Sequence, residues 1–268
     1  MTDALDKLGD YMKGFECEES CRKAEKGKPL LVRLDGRAFH TFTRKMKRPF
    51  DPALTKLMQD TTQHLVEETN ALIGYTQSDE ISLVWYLPTN SESQYMFDGR
   101  YQKLSSTLAA IATGFFVNAL RCLDLPTTGK SPTFDARAWQ VPTLNDAFLA
   151  LLWRERDAIK NSISMVAQAH FSHNSLNGVS GTVKKKMLAE IGDPWESYDS
   201  CYRKGTYFTR VPEEYLLNPE DLAKIPAKHR PTDGIVLRNR VKQVILPDLS
   251  SLLYLSEQER ISTVFSTI

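Results

Sequence analysis

The chain is short of the features that most directly announce a class. It holds four cysteines and five histidines in 268 residues. Cys17 and Cys21 stand close together, but no second Cys or His pair follows at zinc-finger spacing. The cysteines therefore predict neither a metal site nor a disulfide. No apolar run approaches a membrane span, and the opening "MTDALDKLGDYMKG" lacks the apolar core of a secretion signal. The expectation is a cytoplasmic protein with no membrane partner. Charge of one sign is missing too: 34 Lys and Arg against 33 Asp and Glu leave a net +1. That excludes a polycation, so a nucleic-acid site must come from local clustering. Repeats and low-complexity segments are absent. With 41% hydrophobic and 25% charged residues, there is material for a sizeable globular core.

Local clustering is found between Leu30 and Pro49, "LLVRLDGRAFHTFTRKMKRP". Arg33, Arg37, Arg44, Lys45, Lys47 and Arg48 surround one acid, Asp35. Leu30, Val32 and Leu34 alternate with Arg33 and Asp35, which predicts a strand with a core face and a working face. Asp51-Pro52 opens a helix, and Leu54, Leu57, Met58 and Leu65 carry its apolar spacing to about residue 70. The run Leu72 to Tyr86 reads as one strand containing Ser78, Asp79 and Glu80. A small-residue helix, "KLSSTLAAIATGFFVNAL", follows and is expected to be buried on most sides.

Upstream, Leu5, Leu8, Met12 and Phe15 give helical spacing over residues 3 to 21. Downstream, the Cys122–Lys130 loop leads to a short strand in "PTFDARAWQVP" and a long helix from about Asp146 to His170. "GIVLRN" and "QVILPD" read as a strand pair near the end. The order predicts an α+β domain, with helices on one side of the sheet.

Asp35-Gly36 and Asp79, on neighbouring strands, form a pair of carboxylates suited to Mg²⁺, a hard cation that takes oxygen ligands and substrate phosphates. Gly36 would let its carbonyl approach a metal or its amide a phosphate. A surface turn at Asp35-Gly36 with a structural Asp79 fits the spacing equally well, and both readings stay open. A basic run is commonly a solvated face. Here Arg33 shares the face of Asp35, and Lys47-Arg48 precede a helix N-terminus whose free amides favour an anion. A bound triphosphate satisfies both facts. On the long helix, Arg154, Asp157 and Asn161 lie along one stripe.

The strings "RLDGRAFHTFT", "QSDEIS", "FDAR", "WRERDAIKNSI" and "YRKGT", with "LGDYMK" near the start, occur in an order that resembles the tRNA-His guanylyltransferase family. The resemblance covers about residues 5 to 206. It implies a palm-like, ferredoxin-like antiparallel sheet with helices packed on it, and a C-terminal extension. The catalytic domain would span residues 1–140, and residues 141–268 would complete the site. Carried over by motif, Asp35, Asp79 and Glu80 are the catalytic acids. Asp35, the Gly36 backbone and Asp79 would hold two Mg²⁺ per site. Arg33, Gly36, Arg37, Ala38, Phe39, His40, Lys47, Arg48, Asp51, Ser78, Lys103 and Asn161 would bind nucleotide and triphosphate. Arg154, Asp157, Arg203 and Lys204 would face RNA.

The resemblance also implies ATP, GTP and other nucleoside triphosphates as substrates, tRNA as partner, and a homotetramer built as a dimer of dimers. Where the eukaryotic members carry "HINNLYN", this chain has "IKNSISM", keeping Asn161 but placing Ile159 at the histidine. "DAIKNSI" is similar to the Thg1-like branch, which adds nucleotides opposite a template and repairs 5′-truncated tRNA. The expected activity is thus template-directed 3′-to-5′ addition. A dedicated tRNA-His guanylyltransferase is the alternative; a palm-type nucleotide cyclase, or an RNA-binding module without catalysis, is more remote.

Overall fold

The structure is a computed structural model that describes residues 2–123, 125–129 and 131–265, with the side chains of 2–6 and 19 outside the description. Leu5 therefore lies outside the described side chains, and Lys130 outside the described residues.

Six strands form one antiparallel sheet: β1 (Leu30–Arg37), β2 (Ile73–Gln77), β3 (Glu80–Trp85), β4 (Thr133–Gln140), β5 (Thr206–Leu216) and β6 (Ile235–Val244). Their order is β4-β1-β3-β2-β5-β6. The first four strands, with helices α3 (Pro52–Thr69) and α4 (Tyr101–Leu120), make a ferredoxin-like βαββαβ unit. β5 pairs with β2, so the second half of the chain widens the sheet built by the first. α1 (Thr2–Ser20) precedes β1, α2 (Phe39–Phe42) lies between β1 and α3, and α5 (Leu144–His170) follows β4.

Both faces of the sheet are covered, contrary to the expectation of helices on one side. On one face, Leu30, Val32, Leu34, Ile81 and Leu83 pack with α3 and α4. On the other, Leu31, Ile73, Tyr75 and Val84 pack with Ala147, Phe148, Leu151 and Leu152 of α5. The alternation of buried residues along β1 makes this possible, since Leu31 is as apolar as its neighbours. α5 opens on a capping box in which Thr143 and Asp146 bond each other's backbone amides.

Four other expectations change. The run Leu72 to Tyr86 is two strands, because Ser78 takes a left-handed conformation (φ 50°) and turns the chain between Gln77 and Glu80. "GIVLRN" and "QVILPD" contribute to the single strand β6, whose partner is β5. α4 buries one stripe, Leu104, Leu108, Ala112 and Phe116, and leaves the rest half-buried or exposed. By length and composition this helix could cross a membrane, which the sequence reading missed; its apolar stripe is spent on the sheet. Finally, Cys17 and Cys21 form a disulfide at the end of α1. One helical turn puts both side chains on one side, with the Cα atoms 4.9 Å apart.

The aromatic cluster under β1 sets the path of the chain beyond Gly36. Phe116 of α4 meets Phe39 at 5.5 Å, Phe42 at 6.1 Å and Phe134 at 5.5 Å. All four rings are buried. Phe116→Ala should cost about 3–5 kcal/mol of folding free energy, as expected for a large aromatic lost from a packed core. Denaturant unfolding of the purified variant measures it.

Candidate active site

β1 and β3 run antiparallel with Asp35 opposite Glu80, and the hairpin turn before β3 holds Ser78 and Asp79. The amide of Gly36 donates to the carbonyl of Asp79 at 3.0 Å. Asp79 therefore sits in a turn beside the end of β1, and the expected neighbour pair forms. Gly36 is required here for packing: a Cβ would overlap the Phe39 ring. The residue that carries the chain past Asp35 must be glycine because a buried aromatic occupies that space.

Asp35, Asp79 and Glu80 line an open cleft of about 420 Å³ with Ser78, Arg154, Asp157 and Asn161. Glu80 does not face the cleft as a free acid. Its carboxylate accepts two hydrogen bonds from Arg154, Nε to Oε1 at 2.6 Å and Nη2 to Oε2 at 2.7 Å, and Arg33 approaches to 4.0 Å. Burial raises the Glu80 carboxyl above its ordinary value, and the pull of Arg154 and Arg33 offsets only part of that. The two parallel donors of Arg154 fix its orientation. Arg154, expected at the RNA, is buried in the floor of the site. Its guanidinium also reaches Asp157 Oδ2 at 3.0 Å, and Asn161 donates to the same oxygen at 3.2 Å. The predicted stripe thus exists, wired into the sheet through Glu80.

Asp79 stands differently. Burial and the nearby Asp35 charge raise it from 3.8 to about 6, more than the Ser78 hydroxyl and its own backbone amide lower it. A crowded carboxylate pair with no cation of its own is the electrostatic signature of a site for a divalent metal. The two carboxylates of Asp35 and Asp79 offer oxygen donors only; among the described residues no group of three or more His, Cys, Asp or Glu side chains could hold a metal. Such a set suits magnesium, which binds through one or two carboxylates and completes its shell with water and phosphate.

A second hollow shares Gln77, Ser78, Asn161 and Met165 with the cleft and reaches back to Phe50 and Tyr202. Those two rings stack at 4.9 Å. Gln77 and Met165, which also line the cleft, stand within "QSDEIS" and "IKNSISM" but were given no role there, and Gln168 lies outside every motif. The remaining candidates lie around or away from this centre. Arg37 and His40 are exposed beyond β1, and Ala38 takes a left-handed conformation (φ 54°) at the start of α2. The Phe39 side chain is core, so only its backbone is available to a nucleotide.

Lys47 and Arg48 are exposed, but the α3 N-terminus behind them is already capped. Asp51 Oδ1 accepts from the amides of Ala53 and Leu54, and Oδ2 from that of Lys47. The free-amide anion site expected there is filled by the protein's own carboxylate. Lys103 is on the first turns of α4, near Tyr101, whose hydroxyl bonds Gln140 opposite Leu30. That is the end of β1 remote from Asp35, so one protomer does not bring Lys103 to the cleft. Arg203 donates to the Tyr198 carbonyl at 2.6 Å, and Lys204 pairs with Asp248 at 2.8 Å. Both are half-buried and engaged.

The family model for tRNAHis guanylyltransferase, Thg1, matches residues 9–142. This chain belongs to that family. A bacterial tRNA(His) guanylyltransferase (Thg1)-like protein solved in complex with ATP is 29% identical and superposes with a TM-score of 0.76, covering 94% of this chain and 97% of that one. The tRNA(His) guanylyltransferase of Schizosaccharomyces pombe is 27% identical over 207 residues, 72% of this chain and 77% of the fission-yeast enzyme. An uncharacterised protein of Acanthamoeba polyphaga mimivirus is 30% identical over 185 residues, 61% of this chain. That match spans 63% of the mimivirus protein. The family is one of nucleotidyltransferases, and the sheet order and cleft described above agree with a palm-like fold.

The raised Asp79 makes a prediction for the metal-free protein. Its folded value, about 6, lies above its unfolded 3.8, so the folded state holds the extra proton. That contribution to stability is fully present below about pH 4 and lost as pH rises through about 6, amounting to at most about 3 kcal/mol. In chelator, Asp79→Asn should raise the melting temperature at pH 7.5, and the gain should vanish near pH 4. A variant no more stable than wild type at pH 7.5 would refute the crowded-carboxylate description.

Proposed function

We propose that this protein is a Mg²⁺-dependent reverse nucleotidyltransferase that extends the 5′ end of tRNA, with template-directed repair of 5′-truncated tRNA as its work. The observation that carries the reading is the meeting of Asp35 and Asp79 in one cleft, crowded and, among the described residues, without an ion pair of their own to Arg or Lys. The likeness to a bacterial Thg1-like protein in complex with ATP supports a nucleoside triphosphate as the ligand.

The reaction has two steps. First, the 5′-monophosphate of the RNA attacks the α-phosphorus of ATP or GTP, giving a 5′-5′ pyrophosphate-linked RNA and releasing pyrophosphate. Next, the 3′-hydroxyl of an incoming triphosphate loses its proton and attacks the RNA 5′-phosphorus. The nucleoside monophosphate leaves, and the RNA gains one nucleotide whose triphosphate is the new 5′ end. Asp35, the Gly36 carbonyl and Asp79 would hold the two ions. Bound there, Mg²⁺ lowers the hydroxyl's pKa and neutralises charge on the phosphates.

The chain's own contribution is positioning. Ser78 and Asn161, at the junction of cleft and hollow, bind triphosphate oxygens. Asp51 holds the loop of Lys47 and Arg48 in place, so that these exposed cations reach the nucleotide from the α3 side. Glu80 acts through Arg154 as a positioning residue, fixing the turn that presents Asp79. The exposed apolar stripe of α1, Leu8, Tyr11, Met12 and Phe15, supports assembly into a homotetramer. A reaction on tRNA suits a cytoplasmic setting.

The names of the relatives favour a dedicated tRNA-His guanylyltransferase as the second reading. Ile159, in place of the histidine of the eukaryotic string, speaks for the template-reading branch.

Two results test this. Asp35→Ala should reduce nucleotide addition by about a thousandfold, roughly 4 kcal/mol of transition-state stabilisation, while the fold persists because a repulsion is relieved. Near-normal addition by that variant would end the two-metal reading. Secondly, tRNAs lacking the first 5′ nucleotide and differing only at the opposing 3′-side base should each receive its complement when offered all four triphosphates. Guanosine added whatever the opposing base would restore the dedicated function.

A further inference from the structure

The string "FDAR" contributes two charged residues, Asp135 and Arg137, that have no part in the reaction so far. Antiparallel pairing sets Asp135 opposite Asp35 and Arg137 opposite Arg33. Partners in such a pair project to the same face of the sheet. The α5 side therefore carries Trp139, Arg137 and Asp135 of β4 in step with Leu31, Arg33 and Asp35 of β1. β4 is the edge strand, so the Arg137 side chain is 58% exposed. Its contact with Asp135 is a long 3.6 Å, and surface pairs of that kind hold a side chain weakly. The guanidinium is available to a ligand.

The same face bears a large aromatic left in solvent. Trp153 of α5 is 54% exposed, whereas Trp85 and Trp195 are buried and Trp139 is half-buried. Its ring lines a crevice with Leu31 and Trp139, which puts it over the β1–β4 side of the sheet. The Arg33 guanidinium lies 5.4 Å from the ring centroid and that of Arg154 4.5 Å. An indole held by two cations, one on the strand that ends in Asp35, is pre-oriented.

We infer that Trp153 and Arg137 form a shelf on the Asp35 face of the sheet that takes the first nucleotide of the RNA's 5′ strand, its base stacked on the indole and its phosphate on the guanidinium. The inference rests on the proposed reading of the cleft as the place where an RNA 5′ end reacts. The sheet order assigns the shelf to RNA and not to the triphosphate. Asp79, Ser78 and Asn161 lie on the β3 side of Asp35, and the shelf lies on the β4 side. A chain whose 5′-phosphate reacts at Asp35 continues away from the triphosphate, along β4. Stacking accepts any base, since each has a π-face. The shelf thus holds the strand without reading it, as template-directed addition requires.

Fluorescence anisotropy of a labelled 5′-truncated tRNA, with ATP affinity measured in parallel, tests the shelf. Trp153→Ala should weaken tRNA binding by about 5-fold or more, within the roughly 5- to 150-fold range of one lost base stack. Trp153→Phe should stay within about twofold of wild type, because it keeps the aromatic face. Arg137→Ala should weaken binding and lower the slope of log affinity against log salt by about one. ATP affinity should be the same in every variant. Unchanged tRNA affinity in both alanine variants overturns the inference; so does lost ATP affinity with tRNA binding intact, which gives the shelf to the nucleotide. If Trp153→Ala proves less stable in a thermal melt, Arg137→Ala, on an exposed edge, decides alone. A wild-type protein that adds no nucleotide to any tRNA rejects the functional reading instead, and is distinguishable because it involves no variant.

Discussion

The bidentate ion pair between Glu80 and Arg154 is the contact on which the site's geometry depends. It joins residues 74 positions apart in sequence, one on β3 and one on α5, at 2.6 and 2.7 Å. Taking two charges out of water is costly, and breaking such a buried pair by removing one partner typically costs about 3–5 kcal/mol. The pair adds little net stability over apolar packing, so its value is geometric. Leu151 and Leu152 dock α5 on the sheet through non-directional apolar contact, whereas the bonds from Arg154 to both oxygens of Glu80 are directional and fix its register. That register also sets Asp157 and Asn161 at the cleft and aims Trp153 over β1.

Once Glu80 is committed to Arg154, two acids remain to act. Asp35 and Asp79 are held together by the Gly36–Asp79 backbone bond and by the Phe39 ring that leaves no room for a side chain at Gly36. Their proximity is unfavourable in the absence of a cation: burial first, and the Asp35 charge second, raise the Asp79 carboxyl. Folding energy from the Phe116 cluster and the α5 interface is what sustains it. Function here is stored as local electrostatic instability, which a divalent ion and a polyphosphate would together relieve.

Much of this was legible in the residues, and the losses have identifiable causes. The alternation Leu30–Asp35 told core face from working face because strand side chains have period two. Asp51-Pro52 announced α3 because both residues satisfy helix-start geometry. The hairpin at Ser78-Asp79 was not legible: the left-handed position falls on Ser78, not on the Gly, Asn or Asp that usually takes it, and the apolar runs on each side read as continuous. The Glu80–Arg154 pair was invisible because long-range pairing leaves no local pattern, and for the same reason Arg154 looked free for RNA. α4 looked like a fully buried helix because small and apolar residues dominate it, although only its Leu104–Phe116 stripe meets the sheet. Trp153 and Arg137 sat within motifs, but only the β1–β4 register places Arg137 on the face of Asp35, and only the packing of α5 places Trp153 over it.

The central claim is that Asp35 and Asp79 are the ligands of a nucleotide-dependent divalent metal site. Electron paramagnetic titration with Mn²⁺ in place of Mg²⁺, with and without a non-hydrolysable ATP analogue, tests it most directly. The account predicts two bound ions per protomer with the analogue, fewer without it, and loss of the tight sites in both Asp35→Asn and Asp79→Asn. Metal uptake that is indifferent to the nucleotide, or that survives both substitutions, would contradict it.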